Sequence, residues 1–359
     1  MKKKVKFALV GCGRVAGHHA RSINELEEAQ LVAVCDLKED RAKAYGQEFN
    51  VPYYLNYNEM MNNHDADVVN IITPSGMHPT HAADIIERYK KHVVIEKPMF
   101  MDMKDKEKLL GAAKRNKVKI FPVYQNRYNK AVKKVKEAVD GNKFGKIAFG
   151  EVRLLWSRPQ RYYDMDPWRG KWALDGGAFT NQGIHYLDLL RCFLGEVEEV
   201  SAVSATRLVS AEVEDTGAAW IRFKSGAIAS VIVTTAARPT DIEALVSVFG
   251  ENGRAIISGI AANELREWTL DDISLAEFSE VFPTVYGFGH KAFLSDVIKD
   301  LNGEAPHPVT FEEGAKTVEL LNAVYAAVEG HGIVRMDNKP ASKNLGRYDK
   351  KLYDLYTTK

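Results

Sequence analysis

Cysteine is scarce in this chain. Cys12, Cys35 and Cys192 are the only three in 359 residues. They lie far apart in no CxxC or metal-like spacing, which argues against a disulfide scaffold or a structural zinc. Long apolar runs are missing as well, so nothing in the sequence reads as a membrane span. The basic start MKKKVKFALVGCG stops at glycines after a short apolar run. A signal peptide needs a longer apolar core and a small-residue cleavage site, so this segment reads as a first strand. Net charge is nearly absent: Lys+Arg 49 against Asp+Glu 48 leave +1. That gives no global pull toward nucleic acid or a membrane, and any anion site must be a local group. No internal repeat or low-complexity linker interrupts the chain. These absences point to a soluble, cytoplasmic protein of ordinary globular composition, and its length favours two domains.

What is present has two grammars. In the first third, the apolar runs Val5–Val10, Leu31–Cys35, Val68–Thr73, Val93–Glu96 and Ile120–Val123 read as buried strands. Between them, Ala16–Asn24, Glu39–Phe49, Pro79–Tyr89 and Asp105–Asn116 carry apolar residues at helical spacing. That alternation predicts a doubly wound parallel sheet. A helix at about Asn129–Val139 leads into the second half. There, Ile147–Trp156, Val197–Val209, Thr216–Phe223, Ala227–Thr235, Ala244–Phe249 and Arg254–Ser258 are longer runs, several with period-two character and short turns between them. They predict an antiparallel sheet with helices on one face, the helices being Leu174–Leu194, Gly289–Leu301 and Phe311–Glu329. The expected division is 1–123, 124–335 and a polar tail at 336–359.

Three segments carry chemistry. Gly11-Cys12-Gly13-Arg14-Val15-Ala16 follows the first strand and opens the first helix. One glycine permits the tight turn, the next lets the backbone approach a pyrophosphate, and the helix N-terminus supplies N–H groups. Asp36 ends the next strand, where an acid accepts from a ribose diol and would repel a 2′-phosphate. With no arginine directly after it, NAD is favoured over NADP. Glu96-Lys97-Pro98 ends the fifth strand, at the edge where open α/β sheets bind ligands. Alone, Lys97 reads more simply as a solvated lysine. Thr73-Pro74-Ser75 with His78 at the preceding strand end tilts the balance toward a site.

The third segment runs from Trp156 to Leu190. It sets Arg158, Arg161, Arg169 and Lys171 among Trp156, Tyr162, Tyr163, Trp168 and Trp172. Arginine forks hold phosphates or carboxylates, and aromatic faces pack on rings. Each of these cations also has a bland reading as one half of a surface ion pair. His185 lies in the apolar helical run behind Gly176-Gly177, and alone it would be a satisfied core histidine. Tyr286 and His290 suit a pocket wall and a structural turn equally.

GCGRVAG, Asp36, TPSGMHPTH, EKP and GGAFTNQGIHYLDLL together resemble the family of glucose–fructose oxidoreductase, inositol dehydrogenase and rhizopine-catabolism proteins, from about Val5 to Glu329. Within it, QNRYN (Gln125–Asn129), RLLWSRPQRYYD, EVEDTG (Glu212–Gly217) and VYGFGH (Val285–His290) look like the bacterial UDP-N-acetylglucosaminuronate 3-dehydrogenases. The resemblance implies an N-terminal doubly wound Rossmann domain and an α+β C-terminal domain with a large, mostly antiparallel open sheet. It implies NAD-dependent oxidation of the 3-hydroxyl of UDP-N-acetylglucosaminuronic acid to the 3-keto sugar nucleotide. That product would feed an aminotransferase in surface-polysaccharide (O-antigen) synthesis.

The same resemblance implies cofactor contacts at Gly11, Gly13, Arg14, Val15, Asp36, Thr73, Pro74, Ser75, His78, Glu96, Lys97, Gln125, Trp168 and Arg169. It implies substrate contacts at Lys97, Arg127, Arg158, Tyr163, Asn181 and His185, a homotetramer, and no metal. His185 would take the hydroxyl proton and Lys97 would stabilise the developing alkoxide, with a relay of reversed roles open. Many members carry an aspartate four residues before the histidine; here that position is Asn181, so the dyad 181/185 has no carboxylate. Asp188, three residues after His185, suits helix support. A free-sugar or inositol dehydrogenase is the alternative enzyme, and a non-catalytic NAD-binding regulator the alternative outside enzymes. The local arginines disfavour the first, and Lys97 with His185 disfavours the second.

Overall fold

The computed structural model describes residues 4–357. The chain divides into two compact units, one of Met1–Val123, His290–Ala315 and Tyr348–Lys359, the other of Tyr124–Gly289 and Lys316–Arg347. A linear division misses this return. The 290–315 segment belongs with the first unit because its side chains complete that core. His307 lies edge-on to Phe121 and Phe293, at 5.4 and 4.9 Å between ring centres, and Phe311 meets Phe100 at 6.2 Å. The tail splits at Arg347/Tyr348, and the Tyr353 hydroxyl donates to the Gly76 carbonyl at 3.1 Å. Its last two residues lie outside the described range.

The first unit holds strands β1 (Val5–Val10), β2 (Ala29–Cys35), β3 (Tyr53–Tyr54), β4 (Val68–Ile71), β5 (His92–Ile95) and β6 (Ile120–Pro122). Its helices up to residue 123 are α1 (Ala16–Asn24), α2 (Glu39–Phe49), α3 (Tyr57–Asn63), α4 (His78–Tyr89) and α5 (Lys104–Asn116). All strand pairs are parallel, in the order β3-β2-β1-β4-β5-β6. Phe7, Leu9, Val68, Val69, Val93 and Val94 are wholly buried, as strands covered on both faces must be. The order reverses between β1 and β4, and the loops leaving those two strands flank the crevice where such sheets take ligands.

The second unit contains α6 (Lys130–Asp140), β7 (Ile147–Leu155), α7 (Gln160–Tyr163), α8 (Ile184–Leu194), β8 (Val197–Ala205), β9 (Thr216–Phe223), β10 (Ile228–Thr234), β11 (Glu243–Gly250), β12 (Gly253–Ser258) and β13 (Glu264–Trp268). Helix α9 (Gly289–Leu301) from His290 on and α11 (Lys350–Tyr353) fall in the first unit, whereas α10 (Phe311–Gly330) from Lys316 on and β14 (Ile333–Arg335) fall in the second. The sheet runs β13-β12-β11-β7-β10-β9-β8-β14, antiparallel except that β10 pairs β7 in parallel. Helix α8 lies against it. Leu190 and Leu194 occupy the space a side chain at Gly150 of β7 would need, and Gly183 faces Val233 of β10. The helix expected over Leu174–Leu194 is shorter. A turn through Gly176 (φ 70°) and one π turn at Phe179–Gly183 precede the regular helix. The other face of the sheet leaves Val203, Trp220 and Ile232 exposed. Among the described residues no helix is long and apolar enough to cross a membrane.

Gly11 has φ 103°, and a Cβ there would sit 2.4 Å from the Ile72 carbonyl oxygen. Gly11→Ala should therefore cost on the order of 1–3 kcal/mol in denaturant unfolding, since both backbone strain and a clash with β4's exit appear together. An unchanged midpoint would show that the loop can move aside.

Candidate active site

In the first unit, the loop after β1 and the ends of β2, β4 and β5 form one edge. Asp36 is held there by backbone. Its Oδ2 accepts the Cys12 N–H and its Oδ1 the Lys38 N–H, both at 2.8 Å. Arg14 is exposed, and nothing lies within 4 Å of where a Cβ would start at Gly13. The loop thus keeps its backbone open at the N-terminus of α1, with a fixed acid beside it. That arrangement fits a dinucleotide, whose pyrophosphate takes the N–H groups and whose ribose takes the acid.

At the β5 end, Lys97 is half-buried and its peptide to Pro98 is cis. Glu96 turns inward: Oε1 accepts from His19 Nε2 at 2.9 Å, and Oε2 accepts the Lys97 N–H at 3.1 Å. Burial opposes the Glu96 charge, yet the His19 and His290 rings outweigh it and hold the carboxyl well below its usual range. The ligand atoms of His19, Glu96 and His290 all lie within 4.8 Å of one another, as a metal site would require. However, His19 Nδ1 faces the Asn70 amide nitrogen at 3.0 Å and so accepts. The ring proton then sits on Nε2, between His19 and Glu96, where a metal would have to bind. His78, wholly inside, faces the Pro98 and Thr73 carbonyls with its two ring nitrogens, each at 2.8 Å. His78 and Glu96, expected to meet the cofactor, thus direct their polar atoms into the protein. Thr73 and Pro74 remain half-exposed, while Ser75 is buried.

In the second unit, His185 is 8% exposed and lies edge-on to Tyr124, 6.3 Å between ring centres. The elements around it are fixed by buried carboxylates. Asp188 accepts both arms of Arg127, at 2.7 and 2.6 Å, and the Thr317 hydroxyl at 2.8 Å. Burial works against the Arg127 charge, but Asp188 more than restores it. Arg127 is therefore committed to the helix that carries His185. Asp175, 1% exposed, accepts the Gly170 N–H at 2.7 Å and the Asn181 amide. Glu214 fills the space under Gly177, where a Cβ would fall 1.8 Å from its Oε2. Its Oε1 accepts the Phe179 N–H at 3.0 Å and the Tyr325 hydroxyl at 2.9 Å.

The cations of the arginine–aromatic segment separate by partner. Arg158 lies over Trp156 and donates to Asp241 at 2.8 Å; Lys171 pairs with Glu212 at 2.9 Å. Tyr163 is buried and its hydroxyl meets Thr235 at 3.1 Å. Arg161 is exposed. Arg169 differs from the rest. Its guanidinium lies over Tyr162 at 4.3 Å and Trp168 at 4.5 Å, and its Nε has no hydrogen-bond partner among the described residues. An open pocket of about 300 Å³ adjoins it, lined among others by Gln160, Tyr163, Asp166, Lys171 and Ser210. Gln125, also buried, has its Oε1 without a hydrogen-bond partner among the described residues.

The model of an oxidoreductase family with an NAD-binding Rossmann fold matches residues 5–124, and that of the GFO/IDH/MocA C-terminal domain matches 132–256. The WlbA dehydrogenase of Bordetella pertussis, solved with NADH and UDP-GlcNAcA, is 35% identical with a TM-score of 0.89, over 93% of this chain and 98% of that one. The chain belongs to the GFO/IDH/MocA family. The WlbA dehydrogenase of Chromobacterium violaceum, solved with the same two ligands, is 37% identical with a TM-score of 0.87, over 93% and 96% of the two chains. Among curated proteins, the myo-inositol 2-dehydrogenase of Thermotoga maritima is 27% identical over 93% of this chain and 99% of its own. As a GFO/IDH/MocA member the chain is an oxidoreductase whose cofactor is NAD.

The hydrogen bonds bring in residues that the sequence did not single out: His19, Asn70, Asp175, Asp241 and Tyr325. Only His19 carried a signal, a histidine just inside the helix that follows the glycine loop. The EVEDTG motif gains a structural account as well. Glu212 pairs with Lys171, Glu214 supports the Gly-Gly turn, Asp215 accepts the Arg207 and Leu208 N–H groups, and Gly217 makes room for the Phe179 ring.

Burial pushes the Glu214 carboxyl up to about 7, against its hydrogen bonds from Phe179 and Tyr325. The folded chain then keeps this proton to about pH 7, while the unfolded chain loses it near 4.5. Between those values the folded state binds more protons, so stability falls as pH rises through the window. Relative to Glu214→Gln, the wild type should lose about 3 kcal/mol from pH 4.5 to 7 in urea unfolding. Parallel curves for the two proteins would contradict the shift.

Proposed function

We propose that this enzyme oxidises the 3-hydroxyl of UDP-N-acetylglucosaminuronic acid to the 3-keto sugar nucleotide. The observation that carries the reading is Arg169: a guanidinium stacked on two aromatic rings beside an open pocket, its Nε without a hydrogen-bond partner among the described residues. A substrate with a pyrophosphate and a uronate supplies anions for such a group, and a neutral polyol does not. Both solved WlbA relatives, similar over nearly the whole chain, hold UDP-GlcNAcA. Arg158 and Arg127 would act through Asp241 and Asp188, shaping the site around the ligand.

Oxidation removes the hydroxyl proton while hydride leaves the same carbon. His185 takes the proton, and the Lys97 ammonium stabilises the negative charge that grows on the oxygen. NAD would supply the hydride acceptor; the Gly11–Ala16 loop would hold its pyrophosphate, Asp36 its adenosine ribose, and Gln125 would offer an acceptor to it. The 3-keto product suits a following aminotransferase in surface-polysaccharide synthesis. The apolar residues left on the open sheet face suit homotetramer assembly in the cytoplasm.

Myo-inositol is the competing substrate, given the Thermotoga maritima relative. With NAD and UDP-N-acetylglucosaminuronic acid the enzyme should produce the absorbance of reduced cofactor, or of bound NADH that a 2-oxo acid reoxidises. Turnover of myo-inositol without turnover of the nucleotide sugar would sink the assignment. Lys97→Ala and His185→Ala should each lower kcat by about 10²–10⁴-fold while NAD still binds. Arg169→Ala should raise KM for the nucleotide sugar by about tenfold or more, as loss of a charge-assisted contact does.

A further inference from the structure

Lysine is a point charge on a flexible four-carbon stem, so where its ammonium rests depends on what fixes its backbone. Here two buried side chains grip that backbone from its two ends. Glu96, 5% exposed, accepts the Lys97 N–H at 3.1 Å and is itself fixed by His19 at 2.9 Å; the His290 ring stands 3.8 Å away. His19 is anchored by Asn70 of β4 at 3.0 Å, and His290 stacks on His18 at 5.5 Å between ring centres. On the other side, His78 of α4, 1% exposed, places Nδ1 2.8 Å from the Pro98 carbonyl and Nε2 2.8 Å from that of Thr73. Thr73 is tied in turn to His81, its hydroxyl 3.0 Å from the ring nitrogen.

We propose that Glu96 and His78 are positioning residues that hold the Lys97–Pro98 peptide, and through it the Lys97 ammonium, in its working place. The proposal rests on the reading of Lys97 as a catalytic residue. Each part of the geometry supports it. A buried carboxylate is costly unless fully paired, and this one is paired with the very N–H that orients the lysine. A buried imidazole whose pKa burial pushes down has one N–H to donate, and both carbonyls in its reach, Pro98 on the loop that bears Lys97 and Thr73 at the exit of β4, lie at 2.8 Å. The polar atoms of both residues point into protein, so they act on the reaction through Lys97 rather than by touching a ligand.

The test is a double-mutant cycle read by single-turnover NADH formation. Glu96→Gln and His78→Gln are made alone and in a Lys97→Ala background, with NAD affinity and thermal unfolding measured for every protein. Glu96→Gln replaces an acceptor with an amide that cannot serve both His19 and the Lys97 N–H. Each single variant should lower the hydride-transfer rate by about 10–100-fold with NAD affinity changed by less than about threefold. On Lys97→Ala each should cost less than about threefold more, because the group they position is gone. His78→Ala should lose more rate than His78→Gln, which keeps an N–H donor. Full additivity on the Lys97→Ala background would overturn the proposal, since a merely structural role costs the same with or without the lysine. Loss of rate accompanied by an equal loss of NAD affinity would overturn it too. If Glu96→Gln does not fold, the His78→Gln arm decides alone. A wild-type rate for Lys97→Ala would instead refute the catalytic reading of Lys97, a separate failure.

Discussion

A carboxylate taken out of water must be met by donors, and that requirement shapes every segment of this enzyme that bears on chemistry. Asp36 is met by two backbone N–H groups, which fix the glycine loop to the end of β2. Glu96 is met by His19 and by the peptide of Lys97. Asp175 is met by Gly170 and Asn181, Asp188 by Arg127 and Thr317, and Glu214 by Phe179 and Tyr325. In each case at least one donor belongs to the loop or helix start that the function needs in place. Removing the acid would leave that donor unsatisfied, and removing the donor would leave the buried carboxyl short of a partner. The pairs therefore hold geometry more firmly than apolar packing, which tolerates small slides.

The same requirement sorts the arginines. Read as residue types, Arg127, Arg158, Arg161, Arg169 and Lys171 are equivalent candidates for an anionic ligand. Paired, they are not. Arg127 neutralises Asp188, Arg158 answers Asp241, and Lys171 answers Glu212. Arg169 rests on aromatic faces, which attract a cation without cancelling its charge. Arg161 is exposed, so Arg169 is the member of the set that is both held on aromatic faces and beside the pocket.

The sheet and helices of the first third were legible because their strands are buried on both faces and their helices have a clear apolar stripe. The short β3 and α3 were not, since two residues of strand and seven of helix carry too little pattern. The β13 and β14 strands escaped for the same reason. The parallel β7–β10 pair was hidden because periodicity tells which face is buried and not which neighbour runs alongside. Motif positions were legible from a rule of open sheets, that ligands meet the carboxyl ends of strands. Partners were not. Arg127 and Asp188 are 61 residues apart, Glu214 and Tyr325 111, and His19 and Glu96 77. Nothing local in a sequence announces a contact of that separation.

Asn181 shows how such a contact changes the meaning of a residue. Set against a family pattern that has an aspartate there, the amide looks like the loss of a charge beside His185. In the structure a carboxyl group lies next door, that of Asp175, buried and held partly by the Asn181 amide. An aspartate at 181 would set two carboxylates against each other, and one of them would have to take up a proton or turn away. The amide instead donates, which only a neutral side chain of that shape can do. Asparagine at 181 and aspartate at 175 are thus one choice rather than two. The carboxyl group is kept in this part of the unit, one hydrogen bond removed from position 181.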